Sequence, residues 1–268
     1  MRIGIGCEFV FDLPLTAHAV VLVEPHPTEA SRVVESAFST DPDLTTTVYS
    51  DQFGNRCRRM TLPEGRVRIS YAADVDAERV VDDADDGAPE RNPADLPDDA
   101  LVYLLPSRYC QSDQIAQFAL DQFGRVRWGW GRVHEISRWV HEAVKFDYMA
   151  ASPLATSTDI LACRTGVCRD FAHLGISLCR ALNIPARYVF GYLPDIDVPV
   201  ADSPMDFCGW MEAYLGDRWY TFDPRNHQRR IGRVVIARGR DAADVAMVTT
   251  FGSANLVSMT VRAEALVG

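Results

Sequence analysis

Apolar and polar residues alternate along the first third of the chain. In RVRISYAADV (66–75) an apolar residue stands at nearly every second position, and LTTTVYS (44–50) and RCRRMTL (56–62) are also rich in β-forming residues. IGIGCEFVFDL and AHAVVLVEP are longer apolar runs of the same kind, and DQFGN and PEG supply turns. This period of two predicts a small antiparallel β domain over residues 1–82.

The period changes to three and four residues in the second part of the chain. DQIAQFALDQF (113–123), GRVHEISRWVHEAVKFDY (131–148) and VCRDFAHLGISLCRAL (167–182) repeat apolar positions as amphipathic helices do. We predict strands at ARYVFGYL, DFCGWMEAYL, RWYTFDP, RVVIA and LVSMTVRAEAL, and a long loop at 194–205. The fold class is therefore α+β, with a second domain at 101–268 whose last strand can join either sheet.

An acidic segment separates the two parts. Residues 83–100 are crowded with Asp, Pro and Ala and show no apolar periodicity. Such a composition is typical of a solvated connection, so we predict an exposed linker there.

Composition narrows the function classes. The formal net charge of -10 argues against nucleic acid or an anionic membrane as a partner, because either would need a positive face. The first residues, MRIGIGCEFVFDLPL, lack the pattern of a secretory signal. No apolar run in the sequence approaches the ~18 residues of a membrane span. We therefore expect a cytoplasmic protein. The seven scattered cysteines fit reduced thiols better than a disulfide framework.

One cysteine has a placement that suits catalysis. Cys168 follows a Gly-containing turn in TGVCRDFAHL and stands in the first turn of a predicted helix. Unpaired N–H groups and the helix dipole stabilise a thiolate at such a position, and they can also hold an oxyanion during acyl transfer. The alternative is a small buried packing residue, which is how we interpret Cys163 and Cys179.

A predicted hairpin brings further polar residues together. If its turn is Gly216-Asp217, Leu215 pairs with Arg218, and counting outward sets Trp210 opposite Asp223 and Cys208 opposite Arg225. Cys208 and Asp223 are then diagonal neighbours on one face. A base and the carboxylate that orients it need this arrangement to act on a thiol from a neighbouring helix.

Three ordered motifs carry a resemblance over roughly residues 100–250. G-V-C-R-D-F-A, D-F-x-x-W-x-E-A-Y-L and W-Y-T-F-D-P-R-N together resemble the transglutaminase-like superfamily of bacterial papain-type cysteine enzymes. The N-terminal region is similar to the β domain that often precedes this core. The resemblance implies a cysteine peptidase or acyltransferase that acts on peptides or amino-acid amides without a cofactor. It also implies a nucleophile at Cys168, an orienting carboxylate at Asp223 and a cleft wall at Trp210.

The residue at the position of the family's histidine is Cys208. An imidazole takes the proton of the thiol and returns it to the leaving amine, whereas a thiol of reference pKa about 8.5 cannot become a cation. Amide cleavage by the usual route is therefore expected to be impaired. His227, in the loop after Asp223, is a possible substitute base, and His173 is interpreted as a helix-packing residue.

Two other functions stay open on the same residues. The chain can be a binding or scaffold module that keeps the fold without catalysis, since the triad histidine is replaced. Alternatively, Cys168, Cys208 and Asp223 can form a metal or redox site, as three ligands of zinc or as a disulfide between the two thiols. The oligomeric state is not predicted by any of these patterns.

Overall fold

The alternation of apolar residues builds the N-terminal strands. We describe a computed structural model that covers residues 1–200 and 204–266. In the strand at 65–76, Val67, Ile69 and Tyr71 are buried while the residues between them are more exposed. The N-terminal strands are β1 (Arg2–Leu13), β2 (Ala17–Val21), β3 (Val33–Asp41), β4 (Thr46–Ser50), β5 (Arg56–Leu62) and β6 (Gly65–Asp76). The sequence did not predict β3, whose residues are mostly exposed.

The last two strands of the chain complete the N-terminal sheets. β13 (Val248–Phe251) and β14 (Asn255–Leu266) give two antiparallel sheets with the orders β14-β1-β6-β3 and β13-β2-β5-β4. The second domain predicted at 101–268 therefore contains two strands that belong to the N-terminal sheets. The physical reason is edge pairing, because β14 hydrogen-bonds along nearly the whole length of β1 and leaves that strand without a free edge.

Most residues of the acidic segment are exposed, as expected of a linker, but hydrogen bonds attach part of it to the start of the next long helix. Trp130 donates its backbone N–H to the Ala88 carbonyl at 2.9 Å, and Gly129 donates its N–H to the Glu90 carboxylate at 2.8 Å. A Cβ on Gly129 would lie 2.3 Å from the Ala88 oxygen, so this close approach requires glycine. These hydrogen bonds hold Ala88 and Glu90 against a segment that is distant in the sequence. The composition of residues 83–100 does not predict such contacts.

Residues 1–200 and 204–266 contain five α-helices, and the longest are those that the periodicity predicted. α2 and α5 lie within the predicted ranges, and α3 begins one residue before its range and ends before Lys145 and Phe146, which pair in parallel with 165–166. The helices are α1 (Asp98–Leu101), α2 (Ala116–Phe123), α3 (Trp130–Ala143), α4 (Ser157–Cys163) and α5 (Cys168–Ala181), with the short strands β7 (Lys145–Phe146) and β8 (Thr165–Gly166). Every residue from 170 to 180 is buried, so α5 lies in the interior of the core.

The core sheet lies against α5. Its antiparallel order is β11-β10-β9-β12, and helix α5 packs on β9 and β10. The strands are β9 (Ala186–Tyr192), β10 (Cys208–Leu215), β11 (Arg218–Phe222) and β12 (Val234–Gly239). The predicted loop at 194–205 includes residues 201–203, which lie outside the described residues. No helix in the described part of the chain is long and apolar enough to span a membrane.

The predicted hairpin register is confirmed near the turn. Leu215 pairs with Arg218 and Met211 with Phe222, and Gly216 adopts the left-handed φ of 61° that favours glycine. The ladder ends at that second pair because β11 ends at Phe222. The pairs that were predicted beyond it, Trp210 with Asp223 and Cys208 with Arg225, are not formed as ladder pairs.

Candidate active site

Cys168 is the first residue of α5, as the sequence predicted. The turn before it is held by the buried Asp170 carboxylate, which accepts the Val167 N–H at 2.9 Å. A Cβ on Gly166 would lie 2.8 Å from the same carboxylate, so glycine is needed there. This capping interaction fixes the direction in which Cys168 leaves the backbone.

The surroundings of Cys168 favour its ionised form. The pKa of the Cys168 thiol is lowered chiefly by a hydrogen bond from the Cys208 side chain, with further help from the backbone N–H groups of Gly209 and Arg169. Burial and the charge of Asp206 oppose this shift without reversing it. The sulfur is therefore suited to act as a nucleophile.

Cys208 lies beside Cys168 and remains protonated. The hydrogen bond to Cys168, burial and the nearby charges of Cys168 and Asp223 raise the pKa of the Cys208 thiol well above its ordinary value. A neutral thiol at this position donates a hydrogen bond to a thiolate. It cannot carry the positive charge that an imidazole carries after it has taken the proton.

Asp223, just after β11, is ionised and tightly held. Its carboxylate accepts hydrogen bonds from the Asn226 backbone at 3.0 Å, from the Asn226 side chain at 2.9 Å and from Arg233 at 2.8 Å. Burial alone would raise its pKa, but the Arg233 charge and the Asn226 hydrogen bonds lower it. Arg233 also binds the Asp82 carboxylate at 2.9 Å, which ties the end of the N-terminal domain to the site.

The three-ligand metal site that the sequence allowed is not formed. Within residues 1–200 and 204–266, no group of three or more His, Cys, Asp or Glu side chains is arranged to hold a metal ion. Asn226 and Arg233 occupy the oxygens of Asp223, which accounts for this. All seven cysteines are free thiols, and the disulfide between Cys168 and Cys208 stays a prediction.

Trp210 does not line the cleft beside Cys168. It is 1% exposed, packs with Val189 and Val235, and lies under the Arg233 guanidinium at 4.7 Å. The prediction of a cleft wall is therefore wrong, and core packing with a cation–π contact explains this tryptophan. Glu212, on the same strand, pairs with Arg187 and Arg238 and is likewise structural.

His227 lies among other histidines and away from Cys168. Its ring centroid is 5.0 Å from that of His134 and 5.6 Å from that of His141, and its Nδ1 lies 3.4 Å from Ser137 Oγ. These partners are on α3, and His227, His134 and Ser137 line a separate cavity of about 390 Å³. The turn after Asp223 directs the side chain to that helix, so His227 is not placed as a substitute base.

His173 is a packing residue, as predicted. It is fully buried, accepts the Ala242 N–H at 3.1 Å through Nε2, and stacks on Tyr109 with centroids 5.2 Å apart. Burial, reinforced by the charges of Arg169 and Arg180, holds its pKa well below the ordinary value. The imidazole is neutral and structural. Cys179 is buried as expected, whereas Cys163 is exposed and does not pack in the core.

An open cleft of about 620 Å³ gives access to Cys168. Its walls are mostly aromatic and apolar, and Tyr188 lies so close to Gly209 that a Cβ there would be 2.3 Å from the phenol oxygen. The aromatic lining residues are Tyr109, Phe146, Tyr148, Tyr188, Phe190 and Phe207. Arg169 and Asp206 add charge to the cleft. Such a site suits an acyl group with apolar substituents.

Sequence reasoning missed Asp206, Arg169 and Tyr188 as cleft residues. Asp206 had a detectable signal, since it stands two residues before Cys208 in the approach to β10, where side chains on one face recur every second residue. Tyr188 and Arg169 had none, because their positions depend on how β9 and α5 pack.

Comparisons with known proteins agree with this fold. The model of the transglutaminase-like superfamily matches residues 118–224, a range that contains Cys168, Cys208 and Asp223. The crystal structure of a Cytophaga hutchinsonii protein, called a putative cysteine protease, is similar over 98% of this chain and 90% of that chain. Its TM-score is 0.88 and its identity 33%.

Two curated mycobacterial relatives match over shorter segments. An uncharacterized protein of Mycobacterium leprae is 36% identical over 116 residues, which is 41% of this chain and 40% of the relative. One of Mycobacterium tuberculosis is 34% identical over 111 residues, or 37% of this chain and 35% of the relative. The chain thus spans well under half the length of these curated relatives. On the match to the family model and the likeness of the whole chain to the Cytophaga hutchinsonii structure, this chain belongs to the transglutaminase-like superfamily.

Proposed function

We propose that the protein is a cysteine-dependent acyl-transfer enzyme, either an amide hydrolase or an acyl transferase. Peptides or amino-acid amides are its proposed substrates, and Cys168 is its nucleophile. The observation that carries the proposal is the Cys168 sulfur, whose pKa is lowered by Cys208 and by backbone N–H groups where it meets an apolar cleft. The Cytophaga hutchinsonii relative supports the same chemistry.

The proposed reaction uses the N-terminal end of α5. The Cys168 thiolate attacks the carbonyl carbon of the substrate, and negative charge develops on the carbonyl oxygen. N–H groups at the helix terminus, with the positive end of the helix dipole, stabilise that oxygen. Loss of the leaving group gives a thioester on Cys168, and water or an amine then takes the acyl group.

The leaving group limits this reaction. An amine leaves only after it receives a proton, which an imidazolium supplies in a Cys-His pair. Cys208 holds its proton strongly because burial and the charges around it raise its pKa well above the ordinary value. A different acid is therefore needed for amide substrates.

Alkylation of the thiols tests the nucleophile. Limiting iodoacetamide near neutral pH, followed by peptide mapping, is expected to label Cys168 faster than Cys179, whose pKa is raised by burial. The exposed Cys163 is the control for accessibility, since it is open to reagent but lies away from the cleft. Labelling of Cys168 no faster than that of Cys179 would exclude Cys168 as the nucleophile.

A binding module without catalysis is the second candidate. Two observations favour it. In the described part of the chain, His173 and His227 are held by other partners, away from Cys168. The Asp223 carboxylate is bound by Arg233 and Asn226. This function predicts a reactive Cys168 that forms no covalent intermediate with acyl donors. A thioester on Cys168, detected by intact mass, would exclude it.

A further inference from the structure

The cleft that contains Cys168 is also lined by a carboxyl group, that of Asp206. Asp206 lines the cleft together with Cys168, and its negative charge acts on the Cys168 sulfur. The next residue places the carbonyl oxygen of Phe207 4.0 Å from that sulfur, so this segment lies directly beside the reacting atom.

The side chain of Asp206 is oriented by a backbone hydrogen bond. Its Oδ1 accepts the Phe207 backbone N–H at 2.7 Å. Asp206 is only partly buried and lines the cleft, so its carboxyl group borders the space that a substrate over Cys168 would occupy.

We propose that Asp206 is a catalytic residue that performs the proton transfers left unassigned by the replacement of the triad histidine with Cys208. This assignment rests on the proposed acyl transfer at Cys168. In the proposed reaction, the protonated carboxyl group of Asp206 gives its proton to the leaving amine. The resulting carboxylate then accepts a proton from the attacking water.

The proton balance closes over one turnover. The Cys168 thiolate adds to the amide carbon, the C–N bond breaks, and the amine leaves with the Asp206 proton. Water then adds to the thioester, Asp206 recovers a proton from that water, and the C–S bond breaks to restore the thiolate. The net reaction is amide plus water to carboxylic acid plus amine, and no cofactor or oxidant takes part.

The environment of Asp206 suits this exchange. Burial raises the pKa of its carboxyl group, and the hydrogen bond from Phe207 only partly opposes the shift. A raised pKa brings proton donation and acceptance closer to neutral pH, as general acids require. Among the described residues, the other ionisable groups that line the cleft are Cys168 and Arg169 on α5, Tyr188 on β9, Cys208 on β10, and Tyr109, Tyr148, Asp195, Arg225 and Arg230 outside these elements.

Asp195 offers a matched control within the same cleft. It is also a carboxylate that lines the cleft, but it accepts a hydrogen bond from the Arg230 guanidinium at 2.8 Å. Paired with a cation in this way, it is not poised to give or take a proton. Its removal changes the charge of the cleft by the same amount as removal of Asp206.

The test compares two substrates that share one acyl group but differ in leaving group. An alkyl amide needs a proton as its amine leaves, whereas an alkyl thioester releases a thiolate that leaves without one. Asp206→Asn is expected to lower kcat/KM for the amide by about 10²–10⁴-fold and to affect the thioester far less. Asp206→Glu should recover part of the amide activity, and Asp195→Asn should leave the ratio of amide to thioester activity unchanged.

Each other outcome has a distinct meaning. Equal losses on both substrates in Asp206→Asn, or the same change of ratio in Asp195→Asn, would overturn the role of Asp206. Wild-type protein that acylates Cys168 from the thioester but never from the amide would overturn it too, while leaving the acyl transfer intact. No acylation of wild type by either substrate would overturn the proposed function itself. Iodoacetamide labelling of Cys168 with continued protection of the buried Cys179 in every variant shows that the protein is folded.

Discussion

Cys208 lies beside Cys168 in the cleft, and its side chain is the main cause that lowers the pKa of the Cys168 thiol. The pKa of Cys168 is lowered, whereas the pKa of Cys208 is raised well above its ordinary value. This relationship explains how a cysteine can stand at the position of a base without acting as one.

Removal of the Cys208 side chain should make Cys168 harder to ionise. In Cys208→Ala, the pKa of Cys168 is expected to rise, because the largest of the interactions that lower it is removed. The pH dependence of iodoacetamide labelling at Cys168 measures the shift. Cys179→Ala, a buried thiol outside the cleft, is the control and should leave the profile in place. An unchanged profile in Cys208→Ala would contradict the assigned hydrogen bond.

An imidazole at the same position should restore a thiolate–imidazolium pair. Cys208→His is expected to keep Cys168 reactive at lower pH than in wild type and to raise amide turnover by up to about 10²–10⁴-fold, the usual contribution of one proton transfer. Cys208→Ser, which stays a neutral donor, is the matched variant and should give no such gain. A histidine variant that is no more active than the serine variant would show that Asp223, held by Arg233, cannot orient a base.

Arg233 should be important for stability because two carboxylates depend on it. Asp223 is 5% exposed, and Arg233 joins it to Asp82, just before the acidic segment. Arg233→Met leaves a buried carboxylate unpaired, and we expect a loss of about 3–5 kcal/mol in the free energy of unfolding. Urea denaturation measures this loss. Arg66→Met, which breaks an exposed pair with Asp12, should change stability little. Equal effects of the two substitutions would contradict the structural role of Arg233.

His173 should make the protein less stable as the pH falls. Its pKa is depressed in the folded state, so its contribution is fully present above the unfolded value of about 6.5 and is lost as the pH falls below that value. The free energy of unfolding should fall by up to about 1.4 kcal/mol per pH unit from this group. In His173→Gln the slope should be smaller, whereas in His18→Gln, an exposed site, it should match wild type. Identical slopes in His173→Gln and wild type would refute the assignment.

Local patterns predicted the elements that carry the nucleophile. The helical period and the glycine turn placed Cys168 at the start of α5, and a two-residue turn gave the register from Leu215 to Met211. Both features depend on residues close in the chain. The prediction that Trp210 forms a cleft wall was wrong. Alternation along a strand assigns a residue to one face of the sheet, but it does not say whether that face lines a cleft or the core.

Contacts between distant segments were beyond the sequence patterns. The charges of the acidic segment have no partners close in the chain, yet Asp83 pairs with Arg218 and Glu90 with Arg132. In the same way, β14 pairs with the edge of β1 that β6 leaves unpaired. The sequence pattern of β14 fits either sheet, so it does not predict this partner. Asp206 was missed since its role depends on where Cys168 lies across the cleft.

The central claim is that Cys168 is an acyl-accepting nucleophile. Its most direct test is intact-mass analysis of the protein soon after mixing with an aryl-alkanoyl thioester, followed by peptide mapping. The account predicts one acyl group, attached to Cys168 and absent from Cys168→Ala. A protein that gains no acyl group, or gains the same group in Cys168→Ala, would contradict it.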